Sequence, residues 1–384
     1  MNEIYQSSKS AGLGIYIHIP FCASKCPYCD FTSAPAEEAE RAVYLCALKA
    51  EISASPHRGS RGRTLYLGGG TPSELSPEQL ADVVKTAREA FPLADGAEVS
   101  IECNPGTLTP AKLQAMRESG VNRVSLGVQS TFDRHLGTLG RIHNAREARE
   151  AFDSLRREGF DNVNVDLIFG LPNQTVDEWE QDLVEVLAWT PEHVSLYGLM
   201  IEPQTEFGRL QRLGQLTAAD DDLAATMYEA ALDWTALAGL EQYEISNFAK
   251  PGRECRHNLV YWRNEEYVGF GVSAASFASG ARWINPKDRK LYTTQVKAGA
   301  LERGSEERLE GRAALGEELM LRLRLNEGAP LNFLSERYNC DVEQLYWEEI
   351  ASLVETGLLV KAEDRLSLTR RGRLLASEVC VKFL

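Results

Sequence analysis

Ile15 to Phe31 reads IYIHIPFCASKCPYCDF. Gly14 to Ile19 is a β-branched and aromatic run that Pro20 stops, the pattern of a strand whose C-terminal end opens into a loop. That loop carries Cys22, Cys26 and Cys29 in C-x3-C-x2-C spacing. Three thiolates can hold three irons of a [4Fe-4S] cluster, leaving the fourth iron open to a further ligand. A structural zinc would want a fourth Cys or His at matching spacing. The nearest, His18, precedes the set on the strand and is expected to point into a barrel. Cys46, Cys103, Cys255, Cys340 and Cys380 lack a framework spacing and read as small hydrophobes in a reducing compartment.

Outward from this stretch, strand-like runs recur at Thr64 to Leu67, Glu98 to Glu102, Arg123 to Val128, Asn162 to Ile168 and His193 to Met200. Helical patterns lie between them at Ala36 to Ile52, Pro77 to Ala90, Pro110 to Ser119, Ala145 to Glu158 and Val176 to Ala188. Near-continuous apolar strands alternating with helices imply an α/β fold with a parallel sheet, here an open parallel (β/α)6 partial barrel. In such barrels chemistry gathers at the C-terminal strand ends. Those ends carry the cysteine loop, GGGTPS, Glu102 with Asn104, Gln129 and Asp166, so all are expected at one mouth.

Residues 1–215 are expected to form the partial barrel, and 216–305 an accessory segment completing it. From about residue 306 the pattern changes to helices at Ala313 to Leu323, Leu331 to Tyr338 and Val342 to Thr356, a hairpin, and a helix at Arg370 to Val379. Three helices and a wing outline a small winged-helix-like domain, usually a DNA or protein reader. The chain has 41 Lys and Arg against 56 Asp and Glu, a net charge of −15, and no sustained basic run, which argues against nucleic acid. The first residues lack a signal-peptide pattern, and the longest uncharged window, Tyr267 to Ala281, spans 15 residues. A soluble cytoplasmic protein is expected.

The cysteine spacing, with Tyr28 just before the third Cys, resembles the radical S-adenosylmethionine superfamily. IYIHIPFCASKCPYCDF, LGGGTPSEL, IECNPG, SLGVQS, GRIHN, NVDLIFGLP, YEISNFA and HNLVYW stand in the order found in the family of oxygen-independent coproporphyrinogen III dehydrogenase and its paralogue, the HemW-type haem chaperone. The resemblance spans about Gly14 to Phe277 and continues more weakly to the C-terminus. It implies that Tyr16, Tyr28, Gly69, Gly70, Thr71, Glu102, Gln129, Arg141 and Asp166 contact S-adenosylmethionine. These residue types suit a zwitterionic nucleotide: a small-residue turn with backbone donors, carboxylates for ribose and sulfonium, and an amide and guanidinium for the carboxylate.

Two departures separate the paralogues. The dehydrogenase has a further Cys two residues after the third, where this chain has Phe31, and a long N-terminal extension, where only 13 residues precede the first strand. His257 to Trp262 matches the H-N-x-x-Y-W motif associated with haem in the chaperone branch, so His257 is expected as an axial haem ligand, with Cys255 the alternative. The first reading is therefore a chaperone that binds a [4Fe-4S] cluster, S-adenosylmethionine and haem, and passes haem to respiratory or other haem proteins, with peripheral membrane contact and a homodimer left open. The second is a coproporphyrinogen III dehydrogenase, decarboxylating propionates by radical chemistry. The third, radical modification of RNA, is disfavoured by the acidic charge.

Overall fold

A computed structural model describes residues 12–384. The expectations about a signal sequence and an N-terminal extension concern residues that lie largely outside it. The first half of the chain alternates β1 (Leu13–Ile19), α1 (Glu38–Ala54), β2 (Gly62–Gly69), α2 (Pro77–Ala90), β3 (Leu93–Cys103), α3 (Pro110–Ser119), β4 (Arg123–Gln129), α4 (Asp133–Thr138), α5 (Ala145–Arg157), β5 (Val163–Phe169), α6 (Val176–Ala188) and β6 (His193–Gly198). Strands β1 to β6 pair in sequence order, all parallel. Side-chain caps start the helices where the sequence supplies Ser, Thr or Asn. Ser76, Asn144 and Thr175 each form a reciprocal capping box.

The strands correct one sequence reading, because they are not apolar throughout. Ile15, Ile17, Leu65, Leu67, Val99, Ile101, Val124, Leu126, Val163, Val165, Val194 and Leu196 belong to the buried core beneath the helices. The intervening positions include Tyr16, His18, Thr64, Tyr66, Glu98, Ser100, Glu102, Arg123, Ser125, Asn164, Asp166, His193 and Ser195, and they face the other way. The barrel interior is therefore lined with polar groups that bond one another. Ser125 Oγ donates to Asp166, Asn164 Nδ2 donates to Ser125 Oγ, and Asn164 Oδ1 pairs with His193 Nδ1.

The chain continues through α7 (Glu206–Arg212), α8 (Asp221–Leu237), β7 (Glu241–Glu244), β8 (Asn247–Ala249), α9 (Arg256–Trp262), β9 (Tyr267–Phe270), β10 (Ala275–Ala278), β11 (Ala281–Ile284), α10 (Arg289–Lys297) and β12 (Ser305–Glu307). This stretch extends the same sheet at both edges, giving the order β12-β11-β10-β9-β1-β2-β3-β4-β5-β6-β8-β7. Strand β9 runs parallel to β1, and β8 antiparallel to β6. Among the described residues the two outer strands do not pair, so the sheet stays open.

A second core spans Leu315 to Phe383. It comprises α11 (Gly311–Leu323), β13 (Ala329–Pro330), α12 (Leu331–Tyr338), α13 (Val342–Leu345), α14 (Trp347–Glu355), β14 (Leu359–Ala362), β15 (Arg365–Leu368), α15 (Arg370–Leu374) and α16 (Ala376–Cys380). The helix expected from Val342 to Thr356 breaks at Tyr346. That ring is fully buried and its hydroxyl donates to Phe383 O, 3.1 Å away. The hairpin is present, with β13 added in the order β13-β15-β14. We propose the domain limit near residue 306 on the strength of these separate cores.

The two cores meet at Glu318, which is fully buried. Its carboxylate accepts from Arg322 Nε at 2.7 Å, Arg337 Nη1 at 3.2 Å, Tyr338 Oη at 2.8 Å and, across the junction, Asn264 Nδ2 at 3.3 Å. Glu318→Ala is expected to cost about 3–5 kcal/mol in denaturant unfolding, because it strands two guanidinium groups. Glu51 ties α1 to the far edge of the barrel, accepting from Gly271 N at 2.8 Å and Tyr292 Oη at 2.6 Å. Burial lifts its carboxyl to about 7, above the ordinary carboxylate range. A raised folded-state value means the native state holds the proton longer than the unfolded chain, so this contribution to stability fades as pH rises toward and through 7. Unfolding free energy is expected to fall from pH 5 to pH 8 more steeply in the wild type than in Glu51→Gln.

Candidate functional site

The site is built where β1 and β2 end side by side. Ile19 lies in register with Gly69, and two backbone bonds continue the pairing past the strands. Gly70 N donates to Ile19 O at 2.8 Å, and Thr71 N to Phe21 O at 2.7 Å. The glycine turn is thereby stitched to the start of the cysteine loop. Gly69 has φ +112, and a Cβ there would stand 2.5 Å from His18 Cε1. On Gly70 a Cβ would stand 2.6 Å from Phe21 O. No other residue type fits this approach.

The cysteine loop folds back on itself. Cys29 N donates to Cys26 O at 3.1 Å, and Cys22 N to Ala34 O at 3.4 Å. His18 points inward as expected. Its Nε2 donates to Thr32 O at 2.9 Å and its Nδ1 accepts from Tyr16 Oη at 3.0 Å, so the imidazole fastens the end of the loop to the strand. Burial lowers its pKa and keeps it neutral. The three thiols are free and partly exposed. Thr71 Oγ1 lies 3.5 Å from Cys22 Sγ, and Arg141 Nη1 lies 3.7 Å from Cys26 Sγ. Burial raises the Cys29 thiol, with smaller contributions from neighbouring Cys26 and Cys22. Among the described residues, no three His, Cys, Asp or Glu side chains are arranged around a single-ion position.

Glu102 sits beneath the glycine turn, accepting from Gly69 N at 3.0 Å and from Tyr66 Oη at 2.8 Å. Burial pushes its carboxyl up to about 7, against the pull of those two donors. Asp166, opposite Gly127 in the pairing, is likewise raised by burial and accepts from Asn164 at 2.7 Å and Ser125 at 3.0 Å. Gln129 adopts φ +72 at the end of β4. The loop beyond it is held by buried Asp182, which accepts from Ser130 Oγ at 2.9 Å and Thr131 Oγ1 at 2.6 Å. Arg141 Nη2 donates to Gly127 O at 2.9 Å, while its Nε is buried with no partner. Tyr28 packs on Phe207, with ring centroids 6.3 Å apart. Tyr16, paired in register with Tyr66, lies deeper.

The structure thus draws together Cys22, Cys26, Cys29, Tyr28, Gly69, Gly70, Thr71, Glu102, Gln129 and Arg141, with Tyr16 and Asp166 lining the space below. It does not bring His257 there. That residue opens α9, which packs under the N-terminal ends of the strands, so HNLVYW plugs the barrel floor. Glu98 accepts from Arg256 N and His257 N at 2.9 and 3.1 Å. The His257 ring is 1% exposed, with Nδ1 bonded to Thr64 Oγ1 and Nε2 to Tyr261 Oη, both at 2.7 Å. Burial first, then Arg63 and Arg123, lower its pKa to about 3. In this structure both His257 ring nitrogens thus have protein partners. Cys255 is fully buried beside Glu98. The aromatics of the motif are also engaged, Tyr261 against Tyr267 and Trp262 beneath the Arg324 guanidinium.

Sequence reasoning missed Tyr66, Asp182 and His143. His143 bonds Asn104 Oδ1 and Val128 O, both at 3.1 Å, and holds the Arg141 segment in place. Its signal was present in GRIHN.

This mouth on an open parallel barrel defines a radical SAM protein, and the Radical SAM superfamily model matches residues 16–186. The HemN C-terminal domain model matches residues 309–375. The curated Heme chaperone HemW of Bacillus subtilis (strain 168) is 37% identical over 377 residues, covering 96% of this chain and 98% of that protein. That of Escherichia coli (strain K12) is 35% identical over 381 residues, covering 97% and 98%. The chain belongs to the HemW family. Among solved structures it is similar to coproporphyrinogen III oxidase (HemN) from Escherichia coli, a radical SAM enzyme, with a TM-score of 0.85 and 24% identity over 99% of this chain and 92% of that one. At that identity the likeness speaks to the fold. No helix among the described residues is long and apolar enough to cross a membrane.

Gly69→Ala is expected to lower the unfolding free energy by at least about 1–3 kcal/mol in a denaturant titration, since it adds left-handed strain to the His18 clash. An unchanged midpoint would mean that His18 does not occupy the space above the turn.

Proposed function

We infer that the chain is a haem chaperone that holds a [4Fe-4S] cluster and S-adenosylmethionine and passes haem to haem proteins. The observation that carries this reading is the end-to-end likeness to curated heme chaperones, at 37% and 35% identity over nearly the full length of both chains. Phe31, in the position where the dehydrogenase branch has a further Cys, weighs against the alternative reading as a coproporphyrinogen III dehydrogenase.

Within this reading Cys22, Cys26 and Cys29 would hold three irons. Gly69, Gly70 and Thr71 would receive the nucleotide, with Glu102, Gln129, Arg141, Asp166, Tyr16 and Tyr28 around it. The residues present suit that group. The unpartnered Arg141 Nε awaits an acceptor, a side chain at Gly69 or Gly70 would fill the cradle, and a nearby cation would favour the ionised form of Glu102. When bound, the cluster supplies the electron that can cleave a sulfonium carbon–sulfur bond. Delivery to respiratory haem proteins, contact with a membrane surface, a homodimer and a cytoplasmic location extend the reading; the net charge of −15 disfavours nucleic acid.

Anaerobically reconstituted protein is expected to bind haem stoichiometrically and to release no protoporphyrinogen when given coproporphyrinogen III, reductant and S-adenosylmethionine. Appearance of that product would overturn the chaperone reading. Replacing Cys22, Cys26 and Cys29 together by Ala should abolish bound iron and sulfide.

A further inference from the structure

His18, His143, His193 and His257 are buried with both ring nitrogens engaged. A neutral imidazole has one N–H to give and one lone pair to receive. His18, His193 and His257 meet that rule, because the hydroxyls of Tyr16, Tyr243 and both Thr64 and Tyr261 can donate to a ring nitrogen. His143 does not. Its Nε2 lies 3.1 Å from Val128 O and its Nδ1 3.1 Å from Asn104 Oδ1, and both partners are acceptors. Reversing the Asn104 amide would not cure this. Its Oδ1 also accepts from Gly106 N at 3.2 Å, capping the short turn Pro105–Thr107, and a reversed amide would set N–H against N–H. A ring with one proton therefore leaves a lone pair aimed at an oxygen, and only an imidazolium donates on both sides.

The surroundings do not supply the charge that an imidazolium needs. The turn Pro105–Thr107 and the β4 end Gly127–Gln129 carry no titratable side chain. On α5, Glu147 gives its carboxylate to the capping box of Asn144, accepting from Asn144 N at 3.0 Å. Arg141, two residues before His143, repels a second cation. Burial first and Arg141 second lower the His143 pKa to about 4, against smaller pulls from Val128 O and Glu147. Near neutral pH the ring thus stands uncharged between two acceptors.

An anion beside Arg141 would reverse that balance. Arg141 Nε is buried without a partner, and an opposite charge within reach favours the ionised form of a basic group by a factor of about 10 to 1000. We propose that His143 is a positioning residue that takes one proton from solvent as the carboxylate of S-adenosylmethionine reaches Arg141, and that the resulting imidazolium fastens the ends of β3 and β4 around the cofactor. The inference rests on the S-adenosylmethionine reading of the mouth and adds a proton to it. One negative charge and one proton enter together, and the only bond formed is the second ring N–H. Asn104 follows Glu102 by two residues and Val128 precedes Gln129, so each clamped strand end carries an expected cofactor contact.

The test is calorimetry of S-adenosylmethionine binding to the full chain reconstituted anaerobically with its cluster. Buffers of different ionisation heat count the protons, between about pH 5.5 and 7, where the ligand's ammonium stays charged. Buried Glu102, raised to about 7, would shed a proton to the same sulfonium, so each count is read against His143→Gln, in which that release persists. The wild type is expected to take up as much as about one proton more than His143→Gln. Because its bound state holds the extra proton, its affinity should fall as pH rises, by up to about tenfold per pH unit relative to that variant. Asn104→Asp keeps the acceptor for Gly106 N and adds a fixed negative charge, so His143 should be charged beforehand and the count should drop to that of His143→Gln. A merely structural contact would not give that result. If His143→Gln does not bind, nitrogen NMR of the wild type labelled at its six histidines decides, one ring becoming doubly protonated on saturation. Equal proton counts in wild type and His143→Gln, or no ring gaining a proton, would overturn the proposal while leaving the reading of the mouth standing. A cluster-bearing wild type that binds no S-adenosylmethionine would overturn both.

Discussion

Two backbone hydrogen bonds, Gly70 N to Ile19 O and Thr71 N to Phe21 O, set the distance between the glycine turn and the cysteine loop. Everything at the mouth is referred to that splice. It demands residues without side chains at Gly69 and Gly70, places Thr71 against Cys22, and brings Gly69 N onto Glu102. A lengthening there would leave a buried carboxylate short of a donor, which the surrounding protein could replace only with water or a ligand.

The interior beneath is a polar layer that is almost self-sufficient. Ser125, Asn164, Asp166 and His193 satisfy one another, Tyr66 donates to Glu102, and α9 closes the floor by aiming its first N–H groups at Glu98. Such a network is costly if broken and rigid when complete. HNLVYW supplies the helix that completes this layer. The exception at the mouth, Arg141 with one unpartnered nitrogen, is where an incoming anion finds an open donor.

Much of this was legible from residue order. Strand–helix alternation, the cysteine triplet and the polar residues at strand ends located the mouth, because parallel connections carry every strand's C-terminal end to the same side. The winged C-terminal outline was legible too, although Tyr346 breaks a helix that local pattern runs straight through. Asp182 and Tyr66 stayed hidden, since a carboxylate in a helix or a tyrosine in a strand looks the same whether it faces solvent or a buried loop.

By itself the sequence determined the chemistry on offer: three thiols at fixed spacing, a turn without side chains, and polar residues at the strand ends. Only the tertiary structure decided which groups remain available. His257 and His57 are equivalent as letters, yet one has both nitrogens bonded inside the barrel and the other stands half-open against Trp283. Hydrogen-bond capacity is spent by neighbours distant in the chain, and those neighbours are assigned by the fold.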